Sequence, residues 1–170
     1  AVSVAVCRVI ERTTGKSPGI KWGNDVFLNG KKVCGISTEA ISDFESGNIE
    51  YVIVGIGINC TPYELPDELN EIVGFILDKN ERVSRNRIVA ELIRELENLE
   101  DVIVQKSFID EYRVRSIVIG KEITIISGEK SENGRAVDIN DRGGLIVETE
   151  SGETRTLCSG EISIRLVKND

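Results

Sequence analysis

Val2, Val6, Val9 and Ile10 recur at helical spacing and Gly15 supplies a stop, which predicts a helix over residues 2–12. No Ser, Thr, Asp or Asn precedes it as a cap, so the chain is expected to be a segment cut from something longer. Residues 26–28 and 32–38 flank Asn29-Gly30, a pair suited to a two-residue hairpin turn in which both central residues take positive φ. A third strand is predicted over 51–59, after a polar loop at 42–48. Thr61-Pro62 and Pro66 mark an irregular connection, and residues 68–77 carry a short helical pattern interrupted at Gly74. Ser84 is placed to cap a longer helix in which Ile88, Leu92, Leu96 and Leu99 repeat every three or four residues. From Ile117 onward the period shifts. Short strands over 123–126, 134–139, 145–148, 153–157 and 162–166 alternate with turn residues, as in a small all-β barrel or sandwich, and the boundary falls near 116–120.

Composition narrows the chemistry. The 170 residues are 40% hydrophobic and 29% charged, the balance of a globular protein. A net charge of -8, from 21 basic and 29 acidic side chains, disfavours a nucleic-acid footprint, which needs a concentrated basic stripe. No apolar run reaches the roughly 20 residues of a membrane span, and no signal peptide opens the chain, so a cytoplasmic location is expected. Cys7, Cys34, Cys60 and Cys158 lack the short pairing of a zinc site, so buried structural roles are expected for all four and no metal-ligating set is named. Histidine is absent, which removes the Ser-His-Asp triad, the Cys-His pair and any histidine base. Chemistry must then run on lysine, carboxylates, backbone amides or a bound metal.

Two segments stand out. Continued regularly from the turn, the hairpin pairs Phe27 with Lys32 and Asp25 with Cys34, and puts Asp25, Phe27, Lys32 and Cys34 on one face. Asp25 and Lys32 are then diagonal neighbours; taken alone, they read as an ordinary surface ion pair contributing about 0–1 kcal/mol. In strand 51–59, Val52, Val54, Ile56 and Ile58 form an apolar face for the core, while Gly55, Gly57 and Asn59 fall on the other. Two bare glycines on one face suggest close approach of another segment or of a flat ligand. No third glycine or following helix makes this a dinucleotide fingerprint.

Lys21-Trp22-Gly23-Asn24-Asp25, Gly30-Lys31-Lys32-Val33-Cys34-Gly35-Ile36 and Val54-Gly55-Ile56-Gly57-Ile58-Asn59 resemble, in order and separation, the successive motifs of biotin protein ligases. Gly134-Arg135-Ala136-Val137-Asp138-Ile139, Gly143-Gly144-Leu145 and Ser159-Gly160-Glu161-Ile162-Ser163 resemble that family's terminal domain. The resemblance covers essentially the whole chain and implies an α+β fold. Residues 1–116 would form part of a class II synthetase-like biotin/lipoate ligase catalytic domain, with helices on a mixed sheet, and 117–170 a small SH3-like β-barrel. Lipoate ligases share the fold family, but the glycine strand and terminal motifs favour biotin. The family has proline where Gly23 stands, and Val-Asn where this chain has Cys60-Thr61. Its Arg/Gly-rich adenylate loop and its amino-terminal DNA-binding helices have no counterpart in this sequence.

The implied activity joins biotin to ATP as biotinyl-5'-adenylate and passes it to a lysine of a carboxylase biotin carrier domain. By carry-over, Lys32 is the catalytic cation and a biotin contact, and Asp25 orients the site and assists deprotonation of the acceptor lysine. Gly35, Gly55 and Gly57 let backbone approach biotin, while Asn24 and Asn59 contact the nucleotide. ATP and biotin are the implied substrates, with Mg2+ accompanying ATP. The implied partners are the carrier domain and a second chain carrying the rest of the catalytic domain, with no membrane among them and no DNA-binding domain expected in this chain. An exposed sheet edge would draw such a partner. The alternative is a non-catalytic module that binds biotin or the carrier domain. Trp22 reads as a packing residue or as a platform for adenine, and Lys31 is expected to face solvent.

Overall fold

A computed structural model describes residues 1–43, 47–97 and 99–158, and 162–166 as backbone. The Ser159-Gly160-Glu161 part of the terminal motif, and part of the loop expected at 42–48, lie outside the described residues. Helix α1 (Val2–Thr14) ends as its sequence predicts, with Gly15 left-handed at φ 71 and its N–H donating to the Glu11 carbonyl at 2.8 Å. Strands β1 (Gly19–Lys21), β2 (Asp25–Leu28), β3 (Lys31–Ser42) and β4 (Ile49–Ile58) form one antiparallel sheet in that order. Parallel pairing, expected of a mixed sheet, is confined among the described residues to two single bridges, Ile20 with Ser116 and Lys32 with Val73. Helices α2 (Arg85–Leu96), α3 (Leu99–Val104) and α4 (Ile109–Arg115) follow, and α1 packs against α2 and α4. Strands β5 (Glu122–Ser127), β6 (Lys130–Ile139), β7 (Leu145–Thr149), β8 (Thr154–Leu157) and β9 (Ile162–Leu166) make a second antiparallel sheet in the order β8-β7-β6-β5-β9.

Both sheets share one apolar core. Val6, Val9 and Ile10 of α1, Ile20 and Val26 of the first sheet, and Ile123, Ile139 and Leu145 of the second belong to one contiguous cluster of fully buried side chains. The seam is short: the Ile117 N–H donates to the Ile20 carbonyl at 2.9 Å as the chain leaves α4.

Several expectations change. Residues 68–77 do not form a helix. A short 3-10 turn (Asp67–Leu69) is followed by extended backbone whose Gly74, Ile76 and Leu77 N–H groups donate to the Lys32, Asn59 and Cys60 carbonyls. Tertiary partners thus outcompete local helical bonding. Gly74 is required there, since a Cβ would lie 2.9 Å from Lys31 Cβ. Val52 is exposed and Val54, Ile56 and Ile58 are half-buried, so the apolar face expected on β4 is only partly covered. Ser84 precedes α2 without a side-chain cap bond. Helix α4 and strand β1 were not expected.

The helix layer is tied by charge. Arg115 grips Glu11 at 2.6 and 2.8 Å and Glu111 at 2.8 Å, Arg8 joins Glu111 and Glu95, and Arg12 reaches Glu95. The hydrogen-bonded Arg115 guanidinium holds Glu11 below its usual carboxylate range. Burial pushes Glu111 up, but Arg8 and Arg115 outweigh it and hold it below that range too. Carboxylates with lowered folded-state pKa stabilise fully above about pH 4.5, and that contribution fades as pH falls through the folded values. Acid melts should therefore show a stability loss beginning near pH 4.5, and Glu11→Gln should shrink it; equal loss in both proteins would rule the network out as its source.

Candidate functional site

The site grows out of the hairpin. Asn29 and Gly30 take φ 52 and 78, the paired positive values of the two-residue turn, so Leu28 meets Lys31 and Phe27 meets Lys32. Beyond that the register departs from regular alternation. A bulge between Val26 and Phe27 sets Val26 opposite Cys34 and Asp25 opposite Gly35, with Val33 as the extra residue. The expected pairing of Asp25 with Cys34 is thereby corrected. Cys34 turns into the core beside Val33, while Asp25, Phe27 and Lys32 keep the outer face.

On that outer face Lys32 Nζ lies 2.6 Å from Asp25 Oδ1, each side chain about one-third open to solvent. Gly35 makes room for the pair, since a Cβ there would sit 3.3 Å from both Lys32 Cε and Nζ and 3.9 Å from Asp25 Oδ1. Gly35 pairs in turn with Gly57, so one row across three strands reads Asp25, Gly35, Gly57. The result is a bare backbone floor with an ion pair at its side. Gly55 extends the floor opposite Ser37, whose Oγ would lie 2.6 Å from a Cβ at Gly55. Ser37, unforeseen in the sequence, is the one hydroxyl on that stretch of floor, and its two-residue spacing from Gly35, the period of one strand face, was the available signal.

Asn59 sits at the end of β4. Its N–H donates to the Val33 carbonyl at 2.8 Å, and its side-chain amide reaches the Lys32 carbonyl at 3.4 Å. Asn24 is set apart, in the exposed turn before β2, where its carbonyl accepts from the Ile36 N–H at 3.0 Å. It lines a cavity of about 350 Å3 that also touches Ile36 and Thr38, on the core side of β3. Lys32, Asp25, Gly35, Gly55, Gly57 and Asn59 are therefore gathered on one side of the sheet, and Asn24 opens onto the other.

Trp22 is buried, 7% exposed, with its indole N–H donating to the Gly143 carbonyl at 3.0 Å, so packing rather than an adenine platform describes it. Lys31 does not simply face solvent, because its ammonium donates to the Asn70 carbonyl at 2.6 Å and fastens the 61–78 connection. Among the described residues no three His, Cys, Asp or Glu side chains converge as a metal site, and Asp25 is committed to Lys32. The residues present do not form a cage for a resident Mg2+.

The cysteines diverge from a shared buried role. Cys7 and Cys34 are buried, Cys60 is half-buried and Cys158 exposed. Burial pushes the Cys34 thiol up to about 12, with Asp25 adding to the rise and Lys32 opposing it; burial likewise takes Cys7 to about 12. Neither is a nucleophile near neutral pH. In the native protein a maleimide should label Cys158 first, while Cys7 and Cys34 react only on unfolding; early labelling of Cys34, read by mass spectrometry, would contradict this packing.

No helix among the described residues is long and apolar enough to cross a membrane. The model of the biotin/lipoate A/B protein ligase family matches residues 1–59, and that of the biotin protein ligase C-terminal domain matches 118–165. The biotin–[acetyl-CoA-carboxylase] ligase of Mycobacterium tuberculosis is 32% identical over 85% of this chain and 52% of its own length. The bifunctional ligase/repressor BirA of Bacillus subtilis is 31% identical over 88% and 47%. The chain thus spans about half the length of these curated relatives. The biotin protein ligase of Aquifex aeolicus, solved with biotin and ATP, superimposes with a TM-score of 0.79 at 25% identity, covering 98% of this chain and 69% of the other. With both family models matched and the same fold shared, the chain belongs to the biotin protein ligase family.

Proposed function

We propose that this chain supplies the Lys32–Asp25 pair and the glycine floor of an ATP-dependent biotin–protein ligase. The observation that carries the reading is the 2.6 Å ion pair lying over the Asp25–Gly35–Gly57 row. Residues 1–116 form the catalytic portion and 117–170 the terminal domain. In the first step a biotin carboxylate oxygen attacks the α-phosphorus of ATP, a P–O bond breaks, and pyrophosphate leaves. Two anions must meet. Lys32 places a compact cation between them and stabilises the charge that builds in the transition state. Gly35, Gly55 and Gly57 let biotin lie against backbone, and Asn24 and Asn59 serve the nucleotide. Mg2+ enters as the counter-ion of ATP.

In the second step the amine of a carrier-domain lysine attacks the acyl carbon of biotinyl-5'-adenylate and AMP departs. An ammonium cannot attack, so the acceptor lysine must first lose a proton; Asp25 beside the reacting centre assists that loss. The biotin carboxyl carrier domain of a carboxylase is the acceptor partner, in the cytoplasm, and a second polypeptide carrying the rest of the catalytic domain is a further one.

The test is biotin-dependent exchange of labelled pyrophosphate into ATP, by the chain alone and with the upstream half of a related ligase. Exchange in either mixture supports the ligase. None in both would favour a non-catalytic module that binds biotin or the carrier domain without adenylation.

A further inference from the structure

The segment bearing Asp25 is pinned at each residue before it. The Trp22 indole N–H donates to the Gly143 carbonyl at 3.0 Å, the Gly23 carbonyl accepts from the Tyr112 hydroxyl at 3.4 Å, and the Asn24 carbonyl accepts from Ile36 N–H at 3.0 Å. Gly23 itself holds φ 99, and because glycine leaves the backbone free to adopt other conformations, the turn depends on these ties to keep its place.

Gly143 belongs to the turn between β6 and β7 in the second sheet. That turn is built by Asn140, whose side-chain oxygen accepts from the Arg142 and Gly144 N–H groups at 2.9 Å each and whose carbonyl accepts from the Gly143 N–H at 2.9 Å. The same turn is held to helix α4 by Arg113, which donates to the Ile139 carbonyl at 2.7 Å and to Asp141 Oδ1 at 2.7 Å. Tyr112, next in the helix, is the residue that reaches Gly23. The turn and Asp25 are thus joined by two short hydrogen-bonded routes, one through Trp22 and one through α4.

We infer that the Asn140–Gly144 turn of the terminal domain sets the position of the Asp25 carboxylate through Trp22, making Trp22 a positioning residue of the ligase site. The inference rests on the reading of Asp25 given above. Trp22 touches no reacting group; it acts by holding the backbone that delivers Asp25 to Lys32. The chemistry sensitive to this is the second step, because it depends on where the carboxylate stands relative to an incoming amine, whereas the first depends on the charge of Lys32. Misplacement by a fraction of an ångström costs such a step about tenfold or more.

Two variants cut the link at different ends. Trp22→Phe keeps an aromatic ring and removes the N–H donor; Asn140→Ala loosens the turn from within the second sheet. The first readout needs no activity. With 13C-labelled aspartate in the whole chain, the Asp25 carboxyl signal, assigned from its loss in Asp25→Asn, should shift or broaden in both variants, and the double variant should move it little further. An unmoved signal in either single variant overturns the inference. The second readout is kinetic, in the assembly that shows pyrophosphate exchange. Transfer to the carrier lysine should fall about tenfold while exchange stays within about twofold. The lost transfer should recover as pH rises toward the acceptor lysine's own pKa, about 10.4, where help with deprotonation is no longer needed. A general structural defect would lower exchange and transfer together and show no such recovery, and would count against the inference. Should Asp25→Asn transfer at the parent's rate, the assignment of Asp25 as proton acceptor fails, and the carboxyl signal still decides whether Trp22 positions it.

Discussion

Lys32→Ala is expected to lower biotin-dependent pyrophosphate exchange by about 10²–10³-fold, the loss typical when a preorganised charge is removed from a developing anion. Its neighbourhood gives the effect a second part. With the ammonium gone, the Asp25 carboxylate formerly 2.6 Å away faces the incoming phosphates unpaired, and repulsion adds to the lost attraction. Lys32→Ala combined with Asp25→Asn should therefore exchange faster than Lys32→Ala alone. Lys32→Arg should recover little, since a planar, delocalised guanidinium does not set a compact point charge where the ammonium stands. A loss below about fivefold for Lys32→Ala, measured at saturating biotin and ATP, would reassign the pair to a surface role worth roughly 0–1 kcal/mol.

The second large effect is on stability. Ile20 is fully buried, its carbonyl accepts from Ile117, and it bridges to Ser116 at the seam between the sheets. Ile20→Ala should cost about 3 kcal/mol, because neighbours from two sheets cannot both collapse into the space vacated. For a chain of this size that is a fall of about 9 °C in Tm. One shared core also predicts one transition: Trp22 fluorescence, which reports the seam, should melt together with far-UV circular dichroism. Two separate transitions, or a cost under about 1 kcal/mol, would mean that the sheets fold as independent units.

The features legible in the sequence were those fixed by local chemistry. Asn29-Gly30 gave the hairpin, Gly15 the end of α1, and the alternating apolar runs after Ile117 the second sheet, because turn φ values and side-chain period are properties of short stretches. The Asp25–Lys32 contact was readable in part, since the turn fixes Phe27 opposite Lys32 and the diagonal ion pair persists although the bulge moves Asp25's own partner from Cys34 to Gly35. The bulge was not. Nothing in Lys32-Val33-Cys34 announces an extra residue; it arises because the Lys32 N–H and carbonyl are engaged by Ile72 and Gly74, and Val33's carbonyl by Asn59. Those partners lie far along the chain. The failure of the helix expected over 68–77 has the same origin, since the Gly74, Ile76 and Leu77 N–H groups pair with the Lys32, Asn59 and Cys60 carbonyls rather than with their own segment. Cys158 shows the limit of residue type, for a thiol on a short edge strand's end stays exposed whatever cysteines usually do. Trp22's engagement with Gly143, across 121 residues of sequence, left no local trace at all.

The hairpin turn also bears on the order of assembly. Asp25 and Lys32 are drawn together by closing one tight two-residue loop, whereas Gly57 reaches Gly35 only after the 42–48 connection is bridged, and Trp22 reaches Gly143 only when the second sheet docks. Loop closure of this kind takes about 1–10 µs, well ahead of the longer-range pairings. Local closure therefore favours the ionic pair as the earliest part of the site to form, ahead of the floor on which a ligand would rest, with the docking of the terminal sheet turning an early local contact into a fixed one.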